Sequence, residues 1–195
     1  NGSLEPAAHR NLRTVATALA KRTHLPVHAV SWKHSDRIAP ERLVAPGDPE
    51  PAGGYVPAWT VAPFVRAMVA LGQREFVFIP FFISAQGAIG SALRRDLEHL
   101  QAAIGTELSF TFTEGLATRG VIPEIVADRI RHTLAEQNLS ASPPVILVDH
   151  GGPSPTSAAL RDALAEEIRA VLGRDIGPLA ATSMEGEEHA HNRPL

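Results

Sequence analysis

The residues best suited to chemistry are a histidine at the end of one apolar run and a carboxylate at the end of another. His150 follows Pro143–Asp149 (PPVILVD) and opens the turn His150-Gly151-Gly152-Pro153-Ser154-Pro155, while Glu185 follows the run Pro178–Met184. A neutral imidazole can hold a divalent ion or accept a proton near neutral pH, and a carboxylate within reach would strengthen ion binding and accept a proton. The chain contains no cysteine, so a metal site must use His, Asp or Glu, donors suited to borderline divalent ions. A plainer role is open to the same histidine, which beside two glycines can cap the next helix or hydrogen-bond the turn. Asp149 could orient His150 from behind, but adjacent strand residues face opposite ways, which favours a bracing role for it.

Other motifs carry less. Glu187-Glu188-His189-Ala190-His191 could bind a metal adventitiously, but it reads as a flexible polar loop. Gly87 and Gly90 lack both the dinucleotide fingerprint and a P-loop lysine, so no nucleotide cofactor is expected. Ser3 and Ser154 lack the G-x-S-x-G elbow of a hydrolase. The rows Leu160-Leu164-Ile168-Leu172 and Phe76-Phe78 are core.

The elements that must position these residues follow from periodicity. Helices are expected over Ala7–Arg22, Thr60–Leu71, Ser91–Ile104 (Leu93, Leu97 and Leu100 on one face), Val121–Leu139 and Thr156–Leu172. Strands are expected at Pro26–Trp32, Glu75–Ser84, Glu107–Thr113, Pro143–Asp149 and Pro178–Met184, with the run around Phe76–Ile79 apolar enough to be covered on both faces. Ala39–Pro57, rich in Pro and Gly, reads as a long surface loop. Strands alternating with helices predict an α/β fold with parallel sheets.

That order restarts within the chain. Asn1-Gly2-Ser3-Leu4-Glu5-Pro6 lies over His150-Gly151-Gly152-Pro153-Ser154-Pro155, a helix follows each, and then Pro26-Val27 lies over Pro178-Leu179, Ser31 over Ser183 and Lys33 over Glu185. Two lobes are expected, 1–140 and 141–195, the first lacking a strand ahead of Asn1 and the second stopping after its second strand. Ligands of open α/β sheets sit at the carboxyl ends of the strands. One rim would then hold Asp149, His150, Met184, Glu185, Trp32 to His34, Ser84 to Ala88 and Thr113 to Gly115.

The ordered set of strand-HGG-x-x-P at Val145 to Pro155, IPFFISAQGA at Ile79 to Ala88, EGLATRGVIPEIVADRI at Glu114 to Ile130, and SME at Ser183 to Glu185 followed by HNRPL resembles the sirohydrochlorin chelatase family. These class II chelatases insert cobalt or iron into sirohydrochlorin for cobalamin or siroheme synthesis. The resemblance covers most of the chain and implies two facing three-layer α/β/α lobes with parallel sheets and an open tetrapyrrole pocket. It places metal-handling histidines at the His-Gly turn and after the Pro-Phe-Phe strand. The first lobe departs at both, with Asn1 and Ala88 there, so the resemblance leaves His150 as metal ligand and proton acceptor, assisted by Glu185. Sirohydrochlorin bears many carboxylates, which Arg94, Arg95 and Arg119 could pair with, although on a helix Arg94 and Arg95 also read as solvated charge. A second reading is a relative that binds tetrapyrrole or metal without inserting it.

Bulk properties narrow the setting. A chain of 195 residues can bury a substantial core without disulfides. A formal net charge of −3 gives no basic footprint for nucleic acid. No apolar run approaches a membrane span and no signal layout opens the chain, so a cytoplasmic protein is expected, with no membrane partner. Pairing with another copy, as a homo-oligomer, could complete the second lobe's sheet.

Overall fold

The computed structural model describes residues 2–45, 47, 52–83, 88–105, 107–139, 142–186 and 188–192, with the side chains of 88, 89, 118 and 119 outside that set. The fold is α/β. Two compact units form, Asn1–Phe76 with Leu93–Phe110, and Val77–Ala92 with Thr111–Leu195.

In the first unit helix α1 (Pro6–Thr23) starts on Pro6, whose fixed φ suits the first turn and whose missing N–H would have no partner there. It ends at His24 in a left-handed conformation, with the His24 N–H on the Ala20 carbonyl at 2.9 Å. Two arginines tie its flank to the following loop. Arg10 donates to the Arg42 carbonyl at 2.9 Å, and Arg13 to those of Val56 and Pro57 at 2.6 and 3.0 Å. That loop is less irregular than its composition suggests, since Pro40–Leu43 forms a 3-10 turn and Leu43 is buried with Ile38 and Ala58.

Pro26–Trp32, expected as a strand, is reduced to one parallel bridge between Ser31 and Thr60. Ser31 bonds to the Trp59 carbonyl and Val61 to the Ser31 carbonyl. The ladder goes no further, and the Pro57 carbonyl, which a next rung would use, accepts from Arg13 instead. Helix α2 (Val61–Ala70) buries Val61 and Val65. Helix α3 (Ala88–Ile104) buries Leu93, Leu97 and Leu100, the row its spacing predicted.

Strands β1 (Glu75–Phe78) and β2 (Ser109–Phe112) pair with each other. The bonds Ser109 to Arg74 and Thr113 to Phe78 advance in the same direction on both strands, which makes the pair parallel. Cross-strand rings fix it: Phe76 meets Phe110 at 5.9 Å between centroids, and Phe78 stacks on Phe112 at 5.1 Å. Both strands are shorter than their apolar runs, and Ser84 lies outside the described residues. Among the described residues coverage on both faces does not form. Phe76 and Phe78 are half-buried, but Val77 and Ile79 on the run between and beyond them are exposed.

The second unit holds α4 (Val121–Glu136), β3 (Val145–Asp149), α5 (Pro155–Leu172) and β4 (Leu179–Ser183). Helix α5 has Pro155 in its first turn, and the Ser154 hydroxyl accepts the Ser157 N–H at 3.4 Å, so the helix start is encoded locally. Strands β3 and β4 are parallel, in register from Val145 opposite Leu179 to Asp149 opposite Ser183. Leu164, Ala165, Ile168 and Leu172 of α5 form the core with Ala127 of α4, Ile176 and Leu179, and Val145 and Leu147 pack against it. The alternate residues of β3 face away: Ile146 is 59% and Val148 41% exposed. Among the described residues this strand is thus covered on one face.

Among the described residues no helix is long and apolar enough to cross a membrane.

His9 is the misfit in the first unit's core. It is buried in α1 with neither ring nitrogen hydrogen-bonded. Burial, and then the charge of Arg13, lower its pKa from the usual 6.5. The unfolded chain therefore takes up a proton before the folded one, so stability falls as pH drops through about 6.5 and is greatest above it. Replacing His9 by Leu removes an unsatisfied buried polar group, and urea unfolding at pH 8 should show a gain of about 1 kcal/mol. The same measurement at pH 5.5 should show a larger gain, because the variant has lost the titrating group.

Candidate metal-handling site at the ends of two parallel strands

The β3–β4 ladder does not stop with the strands. Beyond Asp149 and Ser183, the Met184 N–H bonds to the Asp149 carbonyl and the Glu185 N–H to the His150 carbonyl, both at 3.0 Å. Two residues far apart in sequence are thereby brought side by side. His150 Nδ1 lies 3.7 Å from a Glu185 carboxylate oxygen, with side chains 78% and 68% exposed. A contact so open to water contributes little to stability. Its spacing matters for a different reason: metal bonds of roughly 2.1 Å can bridge donors up to about 4.2 Å apart.

The turn is tight by construction. A Cβ on Gly151, whose φ is +84°, would overlap the Glu185 carbonyl oxygen and sit 3.2 Å from the Ser183 Cβ. A Cβ on Gly2 would likewise overlap the Lys33 carbonyl oxygen and sit 3.2 Å from the Ser31 Cβ. The pairs Gly2 with Gly151, Ser31 with Ser183 and Lys33 with Glu185 are those the sequence alignment brings together. Each turn thus passes hard against a neighbouring stretch of backbone, the end of β4 in one case and the bridge segment at Ser31–Lys33 in the other. The side chains at the two ends differ. Lys33 lies over the Trp32 ring at 4.2 Å and 3.6 Å from Asp96, and Trp32 donates to Asp96 at 2.9 Å. That ammonium is engaged by its own unit, whereas His150 and Glu185 face water.

Behind the exposed pair is a buried polar network. Arg161 of α5 has a side chain only 2% exposed. It donates to Ser183 Oγ at 2.5 Å, to Asp162 at 2.8–2.9 Å and to the His191 carbonyl at 3.3 Å. Ser183 passes its own proton to Asp149 at 2.6 Å, and Arg161 lies 3.7 Å from the same carboxylate oxygen. Asp149 is therefore turned toward Ser183 and Arg161, the bracing role that strand alternation favoured over orienting His150.

The run expected to be a flexible loop is folded onto the turn. His191 Nε2 lies 2.9 Å from the Gly152 carbonyl, which Asn192 also reaches at 3.1 Å while donating to the Gly186 carbonyl at 2.9 Å. The His189 and His191 rings stack at 5.4 Å, nearly parallel. With one nitrogen of His191 on a backbone carbonyl and His189 3.3 Å from Glu188, these residues serve the local fold. Glu187 lies outside the described residues. Among the described residues no group of three or more His, Asp or Glu is placed to hold a metal ion.

The other candidates lie on other elements. Arg94 and Arg95 are exposed on α3 in the first unit, and Arg119 ends the 3-10 turn Leu116–Arg119 with its side chain outside the described set. Asn1 also lies outside it, and Ala88 begins α3. The network that periodicity missed is Arg161 with Ser183, His191 and Asn192. The available signals were an arginine next to an apolar row of α5 and the His-Asn pair before Arg193-Pro194-Leu195.

Comparisons with protein-family models, with curated proteins and with solved structures find no match to this chain.

The tight turn gives a sharp test. Gly151→Ala must both hold a left-handed alanine and displace a carbonyl, and should cost roughly 3 kcal/mol in urea unfolding. Gly120→Ala, left-handed but with open space around it, should cost only about 1–2 kcal/mol.

Proposed function

We propose that this chain is a chelatase-like protein that delivers a divalent metal, cobalt in preference to iron, to sirohydrochlorin in cobalamin or siroheme synthesis. The observation that carries the reading is the approach of His150 Nδ1 to Glu185 at 3.7 Å, on an exposed rim at the carboxyl ends of two parallel strands. The metal here is substrate. An ion held by two protein donors keeps waters on its remaining positions, and those are the ones a macrocycle's nitrogens must replace. A closed three- or four-ligand protein site would retain the ion instead. Both residues can take up the pyrrole protons released as the metal enters. Arg94, Arg95 and Arg119 are the proposed partners for the tetrapyrrole's carboxylates. A cysteine-free chain suits the reducing cytoplasm, and a homo-oligomer is the proposed assembly.

The test mixes the protein with sirohydrochlorin and cobalt(II) and follows the absorption spectrum. The intact chain should insert cobalt well above the rate in buffer, His150→Ala should lose about 100-fold, and Glu185→Gln about 10-fold. Insertion no faster than in buffer defeats the enzyme reading. In that case a bound but unmetallated spectrum points to a relative that carries the tetrapyrrole without inserting metal.

A further inference from the structure

The geometry points to Arg161 as the positioning residue that fixes the spacing of His150 and Glu185. Its guanidinium lies beneath the His150–Glu185 pair and reaches the ends of β3 and β4 and the segment that folds onto the turn. Through Ser183 it holds the end of β4 two residues before Glu185, and through Ser183 and its own approach to Asp149 it holds the end of β3 one residue before His150. Through the His191 carbonyl it holds the segment whose His191 and Asn192 side chains grip Gly152. Asp162, its neighbour on α5, takes the remaining edge of the fork in a two-point contact and keeps the guanidinium plane from turning.

The hydrogen-bond direction is determined as well. Arg161 can only donate, so Ser183 Oγ accepts from it and must turn its own proton to Asp149. Asp149 is thereby committed to the interior. With its carboxylate turned inward, the next side chain along the strand, His150, projects from the opposite face into water. A lysine at 161 would keep the charge but could not span Ser183, Asp162 and the His191 carbonyl with one planar group.

The role of Arg161 in ion handling rests on the proposed reading of His150 and Glu185; its role in fixing their spacing does not. Two measurements on the full chain separate them. The first is amide hydrogen exchange in metal-free protein at Met184 and Glu185, whose N–H groups bond to Asp149 and His150, against amides in the middle of β4. Arg161→Lys should speed exchange at the two rim amides at least 10-fold relative to mid-strand, and Ser183→Ala, which breaks the links through Ser183 but leaves Arg161 on Asp162 and the His191 carbonyl, should do so to a smaller degree. The second is the Kd for cobalt(II) alone, which should weaken about 10-fold in Arg161→Lys. If both variants exchange like the wild type, or if all β4 amides speed up together, Arg161 is only a core residue and the inference falls. If the rim amides loosen while the wild type binds no cobalt(II), the positioning role stands and the ion reading fails.

Discussion

The parallel pairing of β3 with β4 is the constraint on which the second unit depends. A parallel ladder fixes register along its whole length, and the pairing of Val145 with Leu179 dictates that Asp149 meets Ser183 and that His150 and Glu185 emerge together. A one-residue slip would turn every side chain to the other face. It would send Val145 and Leu147 out of the core, and Asp149 and Ser183 away from Arg161. Packing and polar bonding therefore select the same register. The glycine at 151 adds a third restraint, because no residue with a Cβ could pass so close to the Glu185 carbonyl.

A two-stranded pair is marginal alone, and its stability comes from what lies against it. On one face α5 supplies an apolar row of Leu164, Ala165, Ile168 and Leu172, with α4 packed behind. At the strand ends the same helix supplies a buried cation. Removing water from a guanidinium is costly unless its donors are met, and around Arg161 they are, by Asp162, Ser183 and the His191 carbonyl, with Asp149 close by. Such a group adds little net stability over a well-packed apolar side chain. Its effect is on geometry, since only one arrangement of three chain segments satisfies it.

Most of this architecture was legible in the sequence where a signal is local. The helices follow 3.6-residue rows, and Pro6 and Pro155 mark two helix starts. Strand lengths were less legible because a ladder needs a partner. Pro26–Trp32 has strand composition yet forms one bridge, and Glu75–Ser84 pairs for four residues. Arg161 was hidden for a physical reason. On a helical wheel it reads as solvated charge, and nothing local reveals that Ser183 and His191, from opposite ends of later segments, converge on it. His191 was misread similarly, since a polar run looks mobile until its carbonyl partner is known. The approach of His150 to Glu185 was foreseen from their common strand-end position, while Arg94 and Arg95 were picked out by charge alone.

The repeat shows which features belong to the fold and which to the chemistry. Helices α1 and α5 each begin on proline and run 18 residues. Counted from that proline, buried Ala16 matches buried Ala165, and His9 matches Ala158. Gly2 and Gly151 meet the same kind of obstruction. These shared features concern backbone clearance and helix packing, which any copy of the motif must satisfy. The differences are polar. Leu12 stands where Arg161 does, Lys33 where Glu185 does, and Lys33 is engaged by Trp32 and Asp96 within its own unit. A buried arginine can sit in the second copy only because Asp149, Asp162, Ser183 and the His191 carbonyl accompany it. With leucine at that position the first copy needs none of them, and the closest relic of the network there is Ser31. The polar clamp and the exposed His-Glu pair thus occur together in one copy and are absent together from the described part of the other, the pattern expected if the clamp exists to hold the pair.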